Sequence, residues 1–176
     1  VGGSGPGIWL DWEHFNNRLE GNLFLDAWAL GIGIEASPGP NLVANNVSID
    51  LRPGAVWFRY GVLSWSSDRN LVLHNTLDGR WNKLPAWQNH DGADGIFLHE
   101  GRDDRGTRWG ALAGRKDVIA NNVVAGCHVA VRSRPTDTVA ANYTDEGKGA
   151  EGVGLPLFLA PERLDCRPAP QRAAAL

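Results

Sequence analysis

The stretch NLVANNVSID, residues 41–50, places an apolar pair, an Asn and a second apolar stretch within ten residues, and the same arrangement returns along the chain. It reads RLEGNLFLD at 18–26, NLVLHNTLDG at 70–79, DVIANNVVAG at 117–126 and DTVAANYTDE at 137–146. Between these copies runs a second motif, a strand usually opened by Gly and strictly alternating: GIWLDW (7–12), GIGIE (31–35), GVLSW (61–65), GIFLHE (95–100) and HVAVR (128–132). The two motifs alternate five times, and a repeat of this kind governs the fold before any local propensity does.

Strands this short cannot bury a face alone, but coils of short strands stacked on one another bury a continuous core. The sequence therefore predicts an all-β chain, a right-handed parallel β-helix of about five rungs. It reads as the C-terminal part of a longer solenoid. Residues 1–176 form a single domain in this reading, with loop insertions near 80–94 and 101–116 and an extended tail from about 150. No window sustains a helical period, and Gly, Pro and Asn punctuate the chain every ten residues or so. The recurring Asn22, Asn46, Asn75, Asn122 and Asn142 fit a structural ladder at an inward turn. Asn46 and Asn142 also stand in N-x-[ST] sequons, which a buried ladder position would keep from glycosylation.

Composition removes several function classes. The chain of 176 residues is 43% hydrophobic and 21% charged, with a formal net charge of -3 and no run of Lys or Arg. Nucleic acid is not an expected partner, because phosphate binding needs a basic surface. No apolar run is long enough for a membrane-spanning helix, so a membrane is not expected either. Eight Trp and 22 Gly are unusual at this length. Flat aromatic faces suit sugar binding, although a Trp that fills a gap in an irregular β core is the commoner case. Two cysteines do not amount to a disulfide framework.

The fifth residues of the Gly-opened strands are Asp11, Glu35, Trp65, His99 and Arg132. Their second and fourth positions are almost all apolar, so alternation turns the fifth outward. The 24 residues between Asp11 and Glu35 match the 24 between Asn22 and Asn46, which puts the two carboxylates at equivalent places on consecutive rungs. Strand spacing of roughly 4.8 Å would hold in-register carboxyls about 5 Å apart, the separation of retaining rather than inverting glycosidases. Asp11 and Glu35 are the candidate catalytic pair. Trp9, Trp12, Trp65, His99, Glu100 and Arg132 are the candidate sugar contacts, with an oligosaccharide as the expected partner and no cofactor or metal.

Stacked acids also occur as Ca²⁺ sites or as plain solvated edges. Two other functions are consistent with the pattern: a polysaccharide lyase with Arg132 as base, or a non-catalytic carbohydrate-binding β-helix.

GIWLDW followed by the Glu of GIGIEASPGPNLVANN resembles the β-xylosidases of glycoside hydrolase family 120, specifically over about residues 6–50. The resemblance implies a retaining parallel β-helix enzyme with Asp11 as nucleophile and Glu35 as acid/base. Ala36, Ser37 and Pro38 stand where the family usually has a Val-Asn-His-like stretch. The tail LPLFLAPERLDCRPAP (155–170) is similar to the closing segment of many bacterial β-helix proteins. Family members also carry many earlier rungs. The resemblance, with the uncapped upper edge, leads us to expect further N-terminal rungs or a partner chain, and weak activity from this chain alone.

Overall fold

Short runs of β-branched and aliphatic residues, broken every few positions by Asn or Gly, form strands too brief to stand alone, and they are stabilised by stacking. The computed structural model describes residues 7–25, 30–37, 39–49, 60–65, 67, 69–78, 94–99, 116–127, 130–146, 158–160 and 165–168. Among them all regular structure is β strand.

The first sheet contains β1 (Ile8–Asp11), β4 (Leu30–Glu35), β7 (Tyr60–Trp65), β10 (Asp94–His99) and β13 (Val131–Arg132), in that order. The second contains β2 (Arg18–Glu20), β5 (Leu42–Ala44), β8 (Leu71–Leu73), β11 (Val118–Ala120) and β14 (Thr138–Ala140). The third contains β3 (Leu23–Leu25), β6 (Val47–Ile49), β9 (Thr76–Asp78), β12 (Val123–Cys127) and β15 (Tyr143–Glu146). Every pairing in these three sheets is parallel. The chain visits the sheets in the same order each time, and one visit to all three is called a pass below. In the tail, β16 (Phe158–Ala160) and β17 (Asp165–Pro168) pair antiparallel. The predicted insertions at 80–94 and 101–116 lie almost wholly outside the described residues.

Register explains the core. Ile8, Ile32, Val62, Ile96 and Val131 align across the first sheet. Leu19, Val43, Val72 and Ile119 align across the second. Ile32, Val43, Val72, Ile96, Ile119 and Val124 are wholly buried in one cluster. Ile8, Leu10 and Leu19, from the first pass, are only partly buried against it.

A Gly opens the alternating strand because a side chain does not fit there. A Cβ on Gly7 would enter the Phe24 ring and the Gly31 carbonyl, and one on Gly95 would strike Val124 and the Ala130 carbonyl. The turn between the second and third sheets has its own rule. Gly21, Asn45, His74, Asn121 and Ala141 all hold positive φ, each just before a ladder Asn. Four of these are not Gly, and such backbone persists only where surrounding bonds enforce it.

Those bonds come from the expected ladder. Asn22, Asn46, Asn75 and Asn122 each donate both the backbone N–H and the side-chain amide to Oδ1 of the Asn one pass later, at 2.8–3.0 Å. A second file runs beside it. Asn17 donates to Asn41 and Asn41 to Asn70, while the Asn70 and Asp117 N–H groups reach Asp117 and Asp137 respectively. The second file ends in an ion cluster: Arg134 meets Asp117 at 3.0 Å and Asp137 at 2.8 Å, all three side chains being almost fully buried.

Candidate active site

Asp11 and Glu35 end neighbouring strands and are direct register partners. Leu10 packs against the core and Ile34 lies within it, so alternation turns both acids outward. Asp11 is exposed and Glu35 half-buried.

The pairing continues past the acids. The Trp12 N–H donates to the Glu35 carbonyl at 3.1 Å and the Glu13 N–H to the Ala36 carbonyl at 3.0 Å. The buried Ser37 hydroxyl donates to the Glu35 carbonyl at 2.9 Å and accepts the His14 N–H at 3.3 Å. The Ser37 N–H donates in turn to the Ser67 hydroxyl, which donates to the Ile34 carbonyl. Main chain from Glu35 to Ser37 is thereby tied to residues 12–14 that follow Asp11, and the Ile34 carbonyl before it to Ser67 of the next pass. Trp12, Glu13 and Ala36 all hold positive φ. Left-handed backbone at a bulky residue such as Trp12 is a true outlier, and strain of this sort gathers at functional sites.

The electrostatics separate the two acids. Burial, and after it the negative charge of Asp11, push the Glu35 carboxyl above the usual glutamate range. A carboxyl so placed holds its proton at higher pH, as a general acid must.

Trp9 stands two residues before Asp11 on the same outward side, 38% exposed, and its register partner is Gly33, which offers no side chain to cover it. Trp12 is 61% exposed but leaves the strand alternation through its left-handed backbone. The expected column continues in the main chain: Trp65 is in register with Glu35, and His99 with Trp65. Glu100 lies outside the described residues.

Arg132 departs from the expected column. It is in register with Phe97 rather than His99, and its guanidinium lies over the Phe97 ring, 5.3 Å from the centroid. The cause is a shorter connection between first and second sheets. Thr138 aligns with Leu71 and Leu42 through β11, so six positions separate Arg132 from Thr138 where nine separate Gly33 from Leu42. The Arg134 N–H donates to the Asp137 carboxylate at 2.8 Å and the Asp137 N–H to the Arg134 carbonyl at 3.1 Å. That turn draws the chain out of the first sheet two residues early.

Phe15 escaped the sequence reading. It is 61% exposed, four residues past Asp11, in the polar stretch that follows β1. An aromatic without an apolar neighbour, between His14 and Asn16, was the available signal. Among the described residues, no three His, Cys, Asp or Glu side chains gather as metal ligands would. The acid pair alone offers fewer oxygens than the six to eight Ca²⁺ takes. Comparison with protein-family models, curated proteins and solved structures returns no match to this chain.

Proposed function

We propose that the chain is the catalytic part of a retaining glycoside hydrolase, β-xylosidase-like on β-linked oligosaccharides, carried on a right-handed parallel β-helix of about five coils. One observation carries the reading: Asp11 and Glu35 are register partners on adjacent parallel strands, both turned outward. Neighbouring strands lie about 4.8 Å apart, close to the roughly 5–5.5 Å that a nucleophile and an acid/base need to share one anomeric centre. Asp11, exposed, attacks the anomeric carbon while protonated Glu35 gives its proton to the departing glycosidic oxygen. Glu35, now an anion, takes a proton from water, whose oxygen displaces Asp11 and restores both carboxyls. Trp9 supplies an aromatic face beside the acids. The resemblance to family 120 favours the same roles.

The experiment is mass spectrometry of the chain incubated with a 2-deoxy-2-fluoro-β-xyloside bearing a good leaving group. A covalent adduct on Asp11, absent from Asp11→Ala, is expected. Hydrolysis retained in Asp11→Ala would overturn the assignment. The lyase alternative is weakened by Arg132, whose register with Phe97 takes it off the column of the acids. A second reading, sugar binding without catalysis, draws on the exposed Trp9, Trp12 and Phe15. Xylo-oligosaccharide binding by an Asp11→Ala/Glu35→Ala double variant, with no turnover by the parent chain, would favour it.

A further inference from the structure

We infer that Ser67 is a positioning residue for the acid pair: its buried hydroxyl holds the main chain on both sides of Glu35 and so fixes where the Glu35 carboxyl stands beside Asp11.

The strand ladder does not do this alone. Asp11 and Glu35 are the last residues of β1 and β4. Directly after them the backbone turns left-handed, at Trp12 and Glu13 on one pass and at Ala36 on the next. Such backbone at a residue with a Cβ persists only where neighbouring bonds enforce it. At Ala36 the enforcing atom is Ser67 Oγ. It donates to the Ile34 carbonyl at 3.1 Å and accepts the Ser37 N–H at 3.0 Å. Those two groups bracket Glu35 and Ala36, so one oxygen from the next pass pins both ends of the turn that carries the acid. Ser37 completes the clamp, its own hydroxyl bonding the Glu35 carbonyl and receiving the His14 N–H.

Ser67 is itself held. It is 1% exposed, and its carbonyl accepts Nη1 of Arg134 at 3.1 Å. The Arg134 guanidinium is fixed in turn by Asp117 and Asp137. The hydroxyl is thus a rigid post between the ion cluster and the main chain of the acid.

A corner that had only to turn would be served by Gly, which takes left-handed backbone without support, as Gly21 does on the first pass. Ala36 under a buried hydroxyl gives a stiffer turn. Stiffness matters to an acid/base, because misplacement by about 1 Å costs on the order of 10²-fold in rate. The inference rests on the glycosidase reading above, with Ser67 acting through Glu35 alone.

Ser67→Ala is compared with the full chain, and Asn22→Leu serves as the control for general destabilisation. Two substrates separate the effects. Phenyl β-xyloside needs the Glu35 proton for its leaving group to depart, while dinitrophenyl β-xyloside does not. In Ser67→Ala, kcat/KM on the phenyl substrate should fall about tenfold further than on the dinitrophenyl substrate, a part of the roughly 10²–10⁴-fold that a placed general acid supplies. Asn22→Leu should leave the ratio of the two unchanged. NMR titration of the Glu35 carboxyl gives a second reading. Raised in the parent, it should move toward the ordinary glutamate value in Ser67→Ala as the side chain swings outward. Ser67→Cys fills similar space with a weaker donor and acceptor. It should shift both readings the same way by less, and it stands in if the alanine variant does not fold. An equal loss on both substrates, an unmoved titration, or the same change of ratio in Asn22→Leu would each overturn the inference. A parent chain that neither hydrolyses the xylosides nor traps the fluoro-xyloside would instead remove the glycosidase reading, and the titration would still decide whether Ser67 places the carboxyl.

Discussion

The Ser37 hydroxyl donates to the Glu35 carbonyl at 2.9 Å while receiving the His14 N–H at 3.3 Å. It thus joins the two strands that carry the acid pair, from a fully buried position. Ser37→Ala takes the acceptor from the His14 N–H and one donor from the Glu35 carbonyl, two bonds worth about 1–3 kcal/mol together. Urea denaturation should show a lower midpoint at unchanged m-value. Ser37→Thr, which keeps the hydroxyl, should recover part of the loss.

Glu35 predicts a pH-dependent stability. Its carboxyl is raised in the folded chain, by burial first and by Asp11 second, so folding disfavours its anion. Well below the ordinary glutamate value of about 4.3 both states are protonated and the group contributes nothing. As pH rises through that value and on through the raised one, stability is lost, and above both the loss is constant. Glu35→Gln should therefore be more stable than the parent at pH 7, by about 0.2–1 kcal/mol for relieving facing like charges. The two should converge below about pH 4. Thermal melts across that range would read it, and an advantage for Gln that persisted at acid pH would contradict it.

Asn75 is the central link of its file, wholly buried, bonded to Asn46, Asn122 and the Val43 carbonyl. Asn75→Leu leaves the Asn46 N–H and amide without their acceptor and should cost about 2–5 kcal/mol, as several buried groups lose partners together. Asn22→Leu removes only the side-chain bonds to Asn46 and to the Glu20 carbonyl, keeps the backbone bond to Asn46, and should cost less. Chemical denaturation of both variants tests the order.

Arg134 neutralises Asp117 and Asp137, whose side chains have no exposure. Arg134→Met removes the cation and leaves two buried carboxylates facing each other, a loss of about 3–5 kcal/mol. Calorimetry should show a large fall in melting temperature, and a near-neutral result would mean that water enters the cluster.

The repeat made most of the sheet arrangement legible, since alternation of Ile32 and Ile34 with Gly33 and Glu35 already fixed which side faces inward. The Asn22–Asn142 file was visible because one residue type recurs at one motif position. Its neighbour was hidden by chemistry and by framing: the file changes from Asn to Asp at Asp117, and the motif at 18–26 was read from Arg18, one residue after Asn17. Arg132 was misplaced for a different reason. A slip of two residues keeps every side chain on its own face, so periodicity is blind to it. The Arg134–Asp137 turn at that register is local, but it is held by Arg134 bonds to the Ser67 carbonyl and to Asp117 of other passes, which no periodicity reports. The acids were aligned by equal spacing, but the bonds through Ser37 and Ser67 join distant strands and leave no local pattern.

Both amide files transfer their hydrogens in one sense, from each pass to the one after it. The described passes are accordingly lapped like roof tiles, with an overlap direction built into every row, and a row turned over would set oxygen against oxygen and lose its bonds.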